Sequence, residues 1–484
     1  LQMGGALLRV DPEDIADQLD QVAPERTRAS WEFPRTDLGN AELLKLRYGT
    51  RLRWCKAQKE WWVWDNRRWK EDNLNHALSL ANRITRERKT NVQYIEDHKT
   101  RKQEFSWAMN CEATARRDAC LSQVKSFPDL CLDLNGLDQC PWSINCLNGI
   151  LDVRTGELTP HDPLAKHSKI IGTNYIADAQ CPLWEGYLAR VCDNKPELVK
   201  FLQRAIGYTL TGSTSESALF VLWGEGANGK TLFLNTVSSI FGDYATIAAS
   251  DALIAKNKNN GPNPEIAMLR GARFVSASET ASGARMDESM VKQMTGGDPV
   301  TARFLNANHI TFKPVCKIWL ATNHKPEIRG GDHGIWRRIK LIPFTVAIPK
   351  EEQDIQLPRK LKEEWPGILA WAVRGCQEWL AGGLQEPDEV LQATQAYRSE
   401  MDAIQAFLDA NTIPVPYNRV QAGRVYRSYT QWCEETGERP LSLMKFGIRL
   451  RQKGIKKVKV ESGYCYIDLM LSTDQIRDVI GTMI

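Results

Sequence analysis

The segment from Ala218 to Ile240 constrains the fold more than any other. Ala218-Leu219-Phe220-Val221-Leu222-Trp223 is a short apolar run suited to a buried strand. It feeds directly into Gly224-Glu225-Gly226-Ala227-Asn228-Gly229-Lys230-Thr231, which fits the pattern G-x-x-x-x-G-K-[ST]. Phe233, Val237 and Ile240 then recur at i, i+4 and i+7, the apolar face of a helix. Strand, glycine loop and helix in this order place the segment in an α/β layer. The chemistry needs that order, because glycines let backbone N–H groups wrap phosphates and the helix N-terminus adds its positive end. Lys230 is positioned to reach β- and γ-phosphates, and the Thr231 hydroxyl to ligate Mg²⁺. ATP and Mg²⁺ are therefore the expected cofactors; a glycine turn beside a solvated lysine is the bland alternative.

Two further strands offer partners for that loop. Arg273-Phe274-Val275-Ser276-Ala277-Ser278 ends in Glu279-Thr280, and a carboxylate at such a strand end can hold Mg²⁺ through water and polarise an attacking water. Asp287 and Glu288 are rival acids. Lys317-Ile318-Trp319-Leu320-Ala321-Thr322 ends in Asn323, whose amide can orient the lytic water, although Asn after a strand is more often a turn residue. Asp332-His333-Gly334-Ile335-Trp336 leads into Arg337 and Arg338. A guanidinium supplied by a neighbouring subunit stabilises charge on a γ-phosphate, which would imply a ring; a surface arginine pair is the other reading.

The chain of 484 residues exceeds what one core usually organises. We expect a multi-domain protein: a linker or the tail of an upstream element over 1–35, an α-rich α+β N-terminal domain over 36–210, a central α/β P-loop domain over 211–350, a helical connector over 351–387 and a C-terminal winged helix over 388–475. Because the sequence begins at Leu1 rather than Met, an upstream extension is expected. Lys+Arg 63 against Asp+Glu 59 gives a net charge of only +4, so any nucleic-acid surface must be locally basic. The 12 cysteines are scattered without a signal peptide, which fits reduced thiols in a bacterial host cytoplasm. Cys120, Cys131, Cys140 and Cys146 lack the close pair that begins most zinc sites. No apolar run is long enough to cross a bilayer, so no membrane partner is expected.

Within the N-terminal region, Trp61, Trp62, Trp64 and Trp69 flank the turn Asp65-Asn66, with Arg67 and Arg68 beside them. Aromatics interleaved with cations can stack bases, but alternating Trp on a hairpin is more often core packing. Asn148-Gly149 to Val153 and Thr155-Gly156 read as turn, short strand and turn, a scaffold element.

Near the C-terminus, Val425, Tyr429 and Trp432 give one helix an apolar face, and Ser442 offers an N-cap to the next. On that next helix Phe446 and Leu450 face inward, while Lys445, Arg449, Gln452 and Lys453 form a basic stripe. Lys456, Lys457 and Lys459 continue onto a strand that turns at Glu461-Ser462-Gly463 and returns from Tyr464 to Leu469. This is the pattern of a winged helix whose basic helix can enter a major groove; a solvated helix face is the alternative.

These elements, in this order and spacing, resemble superfamily 3 helicases of the phage and plasmid primase-helicase type. Thr295 to Phe304, Ala321-Thr322-Asn323-His324-Lys325-Pro326 and Gly334-Ile335-Trp336-Arg337-Arg338 are similar to signatures of that family, and the likeness extends from about Thr36 to Leu471. The resemblance implies a homohexameric AAA+ ring that translocates on single-stranded DNA and unwinds forked duplex during replication of a phage, plasmid or other mobile element. It places Glu279 as the Walker B acid, Asn323 as sensor 1 and Arg338 as the arginine finger, with Arg337 as the fallback. It also implies a channel hairpin with strands Thr301 to Leu305 and His309 to Lys313 and tip Asn306-Ala307-Asn308. That tip lacks the lysine of some relatives, leaving Arg303, His309 or Lys313 to grip DNA. The family often joins a primase-polymerase domain, which the first 35 residues cannot house; such a partner, separate or in a longer parent chain, is expected. Two rival readings remain: a nucleotide-switched DNA-binding regulator or origin-binding ATPase without translocation, and a P-loop kinase.

Overall fold

Thr36 opens the first long helix because its hydroxyl accepts the Gly39 N–H, satisfying a donor that Asp37–Tyr48 would otherwise leave orphaned. The computed structural model describes residues 28–248, 254, 264–278, 284–303, 310–328, 333–437, 440–460 and 463–472. Most of the segment read as a linker, residues 1–27, lies outside these. Strands β1 (Leu52–Cys55), β2 (Glu60–Trp64) and β3 (Trp69–Glu71) form an antiparallel sheet in that order. It shares a core with helices His76–Asn91 and Thr114–Val124, and the helix His98–Asn110 packs on the first of these. Trp62, Trp64 and Trp69 are buried, as the core reading of the hairpin expects. Arg68, beside them, pairs with Asp243 and so ties the hairpin to the central region.

Arg88 and Glu104 form an ion pair at 2.7 Å with both side chains essentially inaccessible, and Arg88 also donates to Asn40 Oδ1 and the Phe33 carbonyl. Removing one partner strands a buried charge. Arg88→Ala is accordingly expected to cost about 3–5 kcal/mol of stability, read as a lower urea midpoint. Arg88→Met combined with Glu104→Leu should restore most of that loss; a double variant as unstable as the single one would refute this account.

Strands β4 (Ser143–Cys146), β5 (Gly149–Asp152) and β6 (Glu157–Thr159) form a second antiparallel sheet. Helices Pro182–Val191 and Pro196–Leu210 follow. The central sheet contains β7 (Leu219–Trp223), β8 (Ala245–Ile247), β9 (Phe274–Ser278), β12 (Lys317–Thr322) and β13 (Ile339–Pro343), all parallel, in the order β13-β7-β12-β9-β8. Burial of β7, β9, β12 and β13 explains their continuous apolar runs. Between β9 and β12 lies a separate hairpin of β10 (Val300–Ala302) and β11 (Ile310–Phe312).

The hydrophobic cores divide the chain at other points than the pattern reading did. Residues from Ile144 to Leu210 share one core with Phe220, Phe233, Trp319 and the helix Trp365–Gly382. The helix Asp388–Glu400, read as the start of the last domain, instead covers the free edge of β13. There Thr394 Oγ1 accepts the Leu341 N–H at 3.0 Å, and Tyr397 packs edge-on to Trp336 with ring centroids 5.2 Å apart. An exposed strand edge needs such a cover.

Two buried cations fasten the central sheet to what precedes it. Arg273, at the start of β9, donates to the carbonyls of Leu210, Cys140 and Ser143. Lys317, the first residue of β12, donates to the Thr211 carbonyl and to Val315 O at 3.2 Å. Burial, and then the neighbouring Arg273 charge, hold the Lys317 ammonium well below its usual pKa.

The C-terminal segment contains the helix Ala403–Asn411, β14 (Thr412–Ile413), β15 (Arg419–Gln421), helices Ala422–Thr436 and Leu443–Gln452, β16 (Lys457–Val460), β17 (Gly463–Ile467) and β18 (Met470–Leu471). β15, β17 and β16 make a three-stranded antiparallel sheet. Its core joins Phe407, Val425, Tyr429, Phe446 and Leu450. Ser442 occupies the N-cap position of the basic helix but its hydroxyl makes no capping bond.

Candidate nucleotide site

The glycine loop lies at the carboxyl edge of the parallel sheet, where ligands of open α/β sheets bind. It links β7 to the helix Lys230–Phe241, as the sequence predicts. Gly229 caps this helix with φ 87°, and a Cβ there would stand 2.8 Å from the Tyr187 hydroxyl oxygen. Only glycine meets both demands. Asn228 donates to the Phe344 carbonyl at 2.9 Å, and Ile348 N donates to the Ala227 carbonyl at 2.9 Å. The loop is thereby held to the chain that follows β13.

Lys230 Nζ is buried and donates to three neutral oxygens: the Gly224 carbonyl at 2.7 Å, Asn228 Oδ1 at 2.9 Å and Asn323 Oδ1 at 3.0 Å. Burial lowers its pKa, and among the described residues no carboxylate offsets that effect. A buried ammonium surrounded by neutral acceptors, beside the open loop at Gly226 and Ala227, fits the phosphates of a nucleotide. Thr231 is exposed as the second residue of the helix, free to meet a cation at the same place.

Asn323 reaches Lys230 because β12 pairs directly with β7, with Thr322 opposite Trp223. β9 ends at Ser278 beside Ala321, at this same edge. Glu279 itself lies outside the described residues. Of its rivals, Asp287 accepts the Met290 N–H at 3.0 Å as the N-cap of the helix Glu288–Gly296, and Glu288 opens that helix.

Arg337 and Arg338 stand at the other end of the sheet. Ile339 pairs with Leu219 and Pro343 with Trp223, so Arg338 lies five residues, roughly 16 Å along the strand, from the edge bearing the loop. Neither side chain spans that distance. Arg338 is half-buried and donates to Thr295 Oγ1 at 3.1 Å and the Gly334 carbonyl at 2.5 Å, while Arg337 is exposed.

Comparison with known proteins adds to this geometry. Residues 41–193 match the family described as D5 N terminal like, and residues 222–338 match a family of unknown function. A protein of Acanthamoeba polyphaga mimivirus, provisionally named a helicase, is 25% identical over 424 residues, covering 78% of this chain and 44% of the relative. A second, from Frog virus 3 and also provisionally named a helicase, is 26% identical over 48% of this chain and 26% of its own. A protein of African swine fever virus provisionally named a primase is 24% identical over 61% of this chain and 34% of its own. The chain is related to primase-helicases of superfamily 3. It spans less than half the length of these curated relatives. Among solved structures, the apo NrS-1 C terminal region (305-718) matches with a TM-score of 0.50 at 10% identity, covering 90% of this chain and 100% of that one, which speaks for the fold alone.

The primase-helicase resemblance also suggested DNA-facing residues. The hairpin base is described, with Thr301 opposite Thr311 and their hydroxyls 3.0 Å apart. Its strands begin at Val300 and end at Phe312, one residue earlier at each end than expected. Arg303 is half-buried after β10 and Lys313 exposed after β11. Asn306, Asn308 and His309 lie outside the described residues.

On the basic helix Leu443–Gln452 the expected stripe turns out to be a flank. Lys445 is exposed, Arg449 half-buried, and Lys453, just beyond the helix, pairs with Asp402, the N-cap of the helix Ala403–Asn411. Burial of Phe446 and Leu450 fixes this phase. Lys456 and Lys457 are exposed, with Lys457 over the Tyr464 ring at 4.7 Å. Among the described residues no helix is long and apolar enough to cross a membrane, and no cluster of His, Cys, Asp or Glu could hold a metal ion.

Sequence reasoning missed Tyr187. Its hydroxyl donates to the Gly229 carbonyl at 2.7 Å from the helix Pro182–Val191, whose Trp184 stacks on Phe233 at 5.5 Å. An amphipathic helix far from the glycine motif carries no local signal of that contact. Tyr187→Phe removes one buried hydrogen bond worth about 1 kcal/mol. Nucleotide affinity should fall about fivefold in a fluorescent-nucleotide titration; an unchanged value would mean other bonds hold the loop.

Proposed function

We propose that the chain is the motor part of an ATP- and Mg²⁺-dependent replicative DNA helicase of a phage, virus or other mobile element, working as a homohexameric ring on single-stranded DNA. The observation that carries the reading is the bond from Lys230 Nζ to Asn323 Oδ1. It joins the phosphate-binding lysine to an amide at the end of the adjacent strand, where a hydrolytic water would lie. In this reading Lys230 and the loop N–H groups orient the phosphates, Thr231 and Glu279 would hold Mg²⁺, and Asn323 positions water. Hydrolysis of bound ATP would supply the free energy for translocation.

The arginine pair at the opposite edge supports assembly, because neither side chain serves its own loop but either could serve a neighbour's. Arg338 is the finger in this account and Arg337 the fallback. The AAA+ domain extends from the second antiparallel sheet to the helix Asp388–Glu400, and the winged helix follows from about residue 402, where the packing changes. The hairpin of β10 and β11 supports translocation, since a nucleotide-switched regulator has no use for a channel grip. Strand displacement on forked DNA with and without ATP tests the proposal. ATP-dependent unwinding is expected; DNA-stimulated hydrolysis without displacement would overturn it in favour of the switch.

A further inference from the structure

Between Pro440 and Val460 the chain carries seven Lys and Arg residues and no Asp or Glu. The helix Leu443–Gln452 in this stretch does not present those cations outermost. Phe446 and Leu450 are fully buried, and at 100° per residue the point opposite their midpoint falls on Ile448. Ile448 is 48% exposed, and Met444, one turn before it on the same face, is 76% exposed. The crest is thus apolar, with exposed Lys445 on one shoulder and exposed Arg451 on the other. The hairpin of β16 and β17 prolongs the cationic rim through Lys457, over the Tyr464 ring.

An apolar ridge between rows of cations wants a partner that is anionic at its rims and apolar at its floor. Duplex DNA has that form: phosphates border a major groove about 12 Å wide, which admits a helix, and thymine alone displays a methyl group there. We propose that Met444 and Ile448 contact thymine methyls, so that the C-terminal segment reads A·T-rich duplex through its major groove while the flanking cations hold phosphates. This rests on the winged-helix reading of the segment and names what that helix recognises.

The test uses the full chain without nucleotide, binding a labelled A·T-rich duplex and the same duplex with every thymine replaced by uracil. That exchange removes only the methyl groups. A channel that grips backbone does not sense it. One or two methyl contacts predict about 4–15-fold weaker binding to the uracil duplex. Met444→Ser with Ile448→Ser, both at exposed positions, should bind the two duplexes equally. Lys456→Gln with Lys457→Gln should weaken both by the same factor and leave their ratio intact. Equal wild-type affinity for the two duplexes would overturn methyl recognition while leaving DNA binding standing. Failure to bind either duplex would remove the DNA reading of this segment as well. Binding to phosphatidylserine vesicles in place of duplex would overturn the proposal in favour of a membrane surface.

Discussion

Lys230→Ala is expected to abolish ATP hydrolysis, lowering turnover by at least about 10²–10³-fold, the loss seen when one charge-stabilising donor is removed from an active site. The ammonium sits among three neutral acceptors, and among the described residues no carboxylate competes for it. Its loss also frees Asn323 Oδ1 and Asn228 Oδ1, so the loop should loosen and nucleotide affinity fall too. Steady-state phosphate release at saturating ATP measures the effect. Turnover within tenfold of wild type would remove the loop from the catalytic site.

Arg338→Ala should leave nucleotide binding nearly intact and reduce turnover by about 10³–10⁵-fold, the range for removal of a trans-acting guanidinium. Because Arg338 also holds Thr295 and the Gly334 carbonyl, a mixing experiment separates the roles. Arg338→Ala subunits keep an intact loop, and Lys230→Ala subunits keep an intact arginine. Mixing two inactive proteins should restore partial hydrolysis if the arginine acts across an interface. No recovery on mixing, or normal turnover by Arg338→Ala alone, would refute the assignment. Arg337→Ala run alongside decides which of the two reaches the neighbour.

Much of this site is legible in the sequence. The runs at β7, β9, β12 and β13 are continuous and apolar because each strand is covered on both faces, and the glycine loop announces its own backbone conformation. The meeting of Lys230 and Asn323, 93 residues apart, follows once β12 is known to lie against β7. That strand order is a tertiary fact which no local pattern encodes. The place of the helix Asp388–Glu400 is hidden for the same reason: its amphipathic face fits either body, and the bond from Leu341 N–H to Thr394 Oγ1 decides between them. On the basic helix, counting cations at helical spacing found the charged flank. Weighing Phe446 and Leu450 as the fixed inner phase would have found the apolar crest.

The cations at the start of β9 and β12 bear on how this protein can be divided. Every carbonyl named for Arg273, and the Thr211 carbonyl that Lys317 uses, lies before residue 212. The family-matched span of residues 222–338 contains both charges but none of those acceptors. A fragment cut to that span would leave Arg273 without its three carbonyls and Lys317 with only Val315 O, at a cost of several kcal/mol for each charge left unpaired. The stretch before the glycine loop is therefore part of the same interior as the parallel sheet, and a minimal soluble fragment should begin no later than Cys140, ahead of the strand at Ser143.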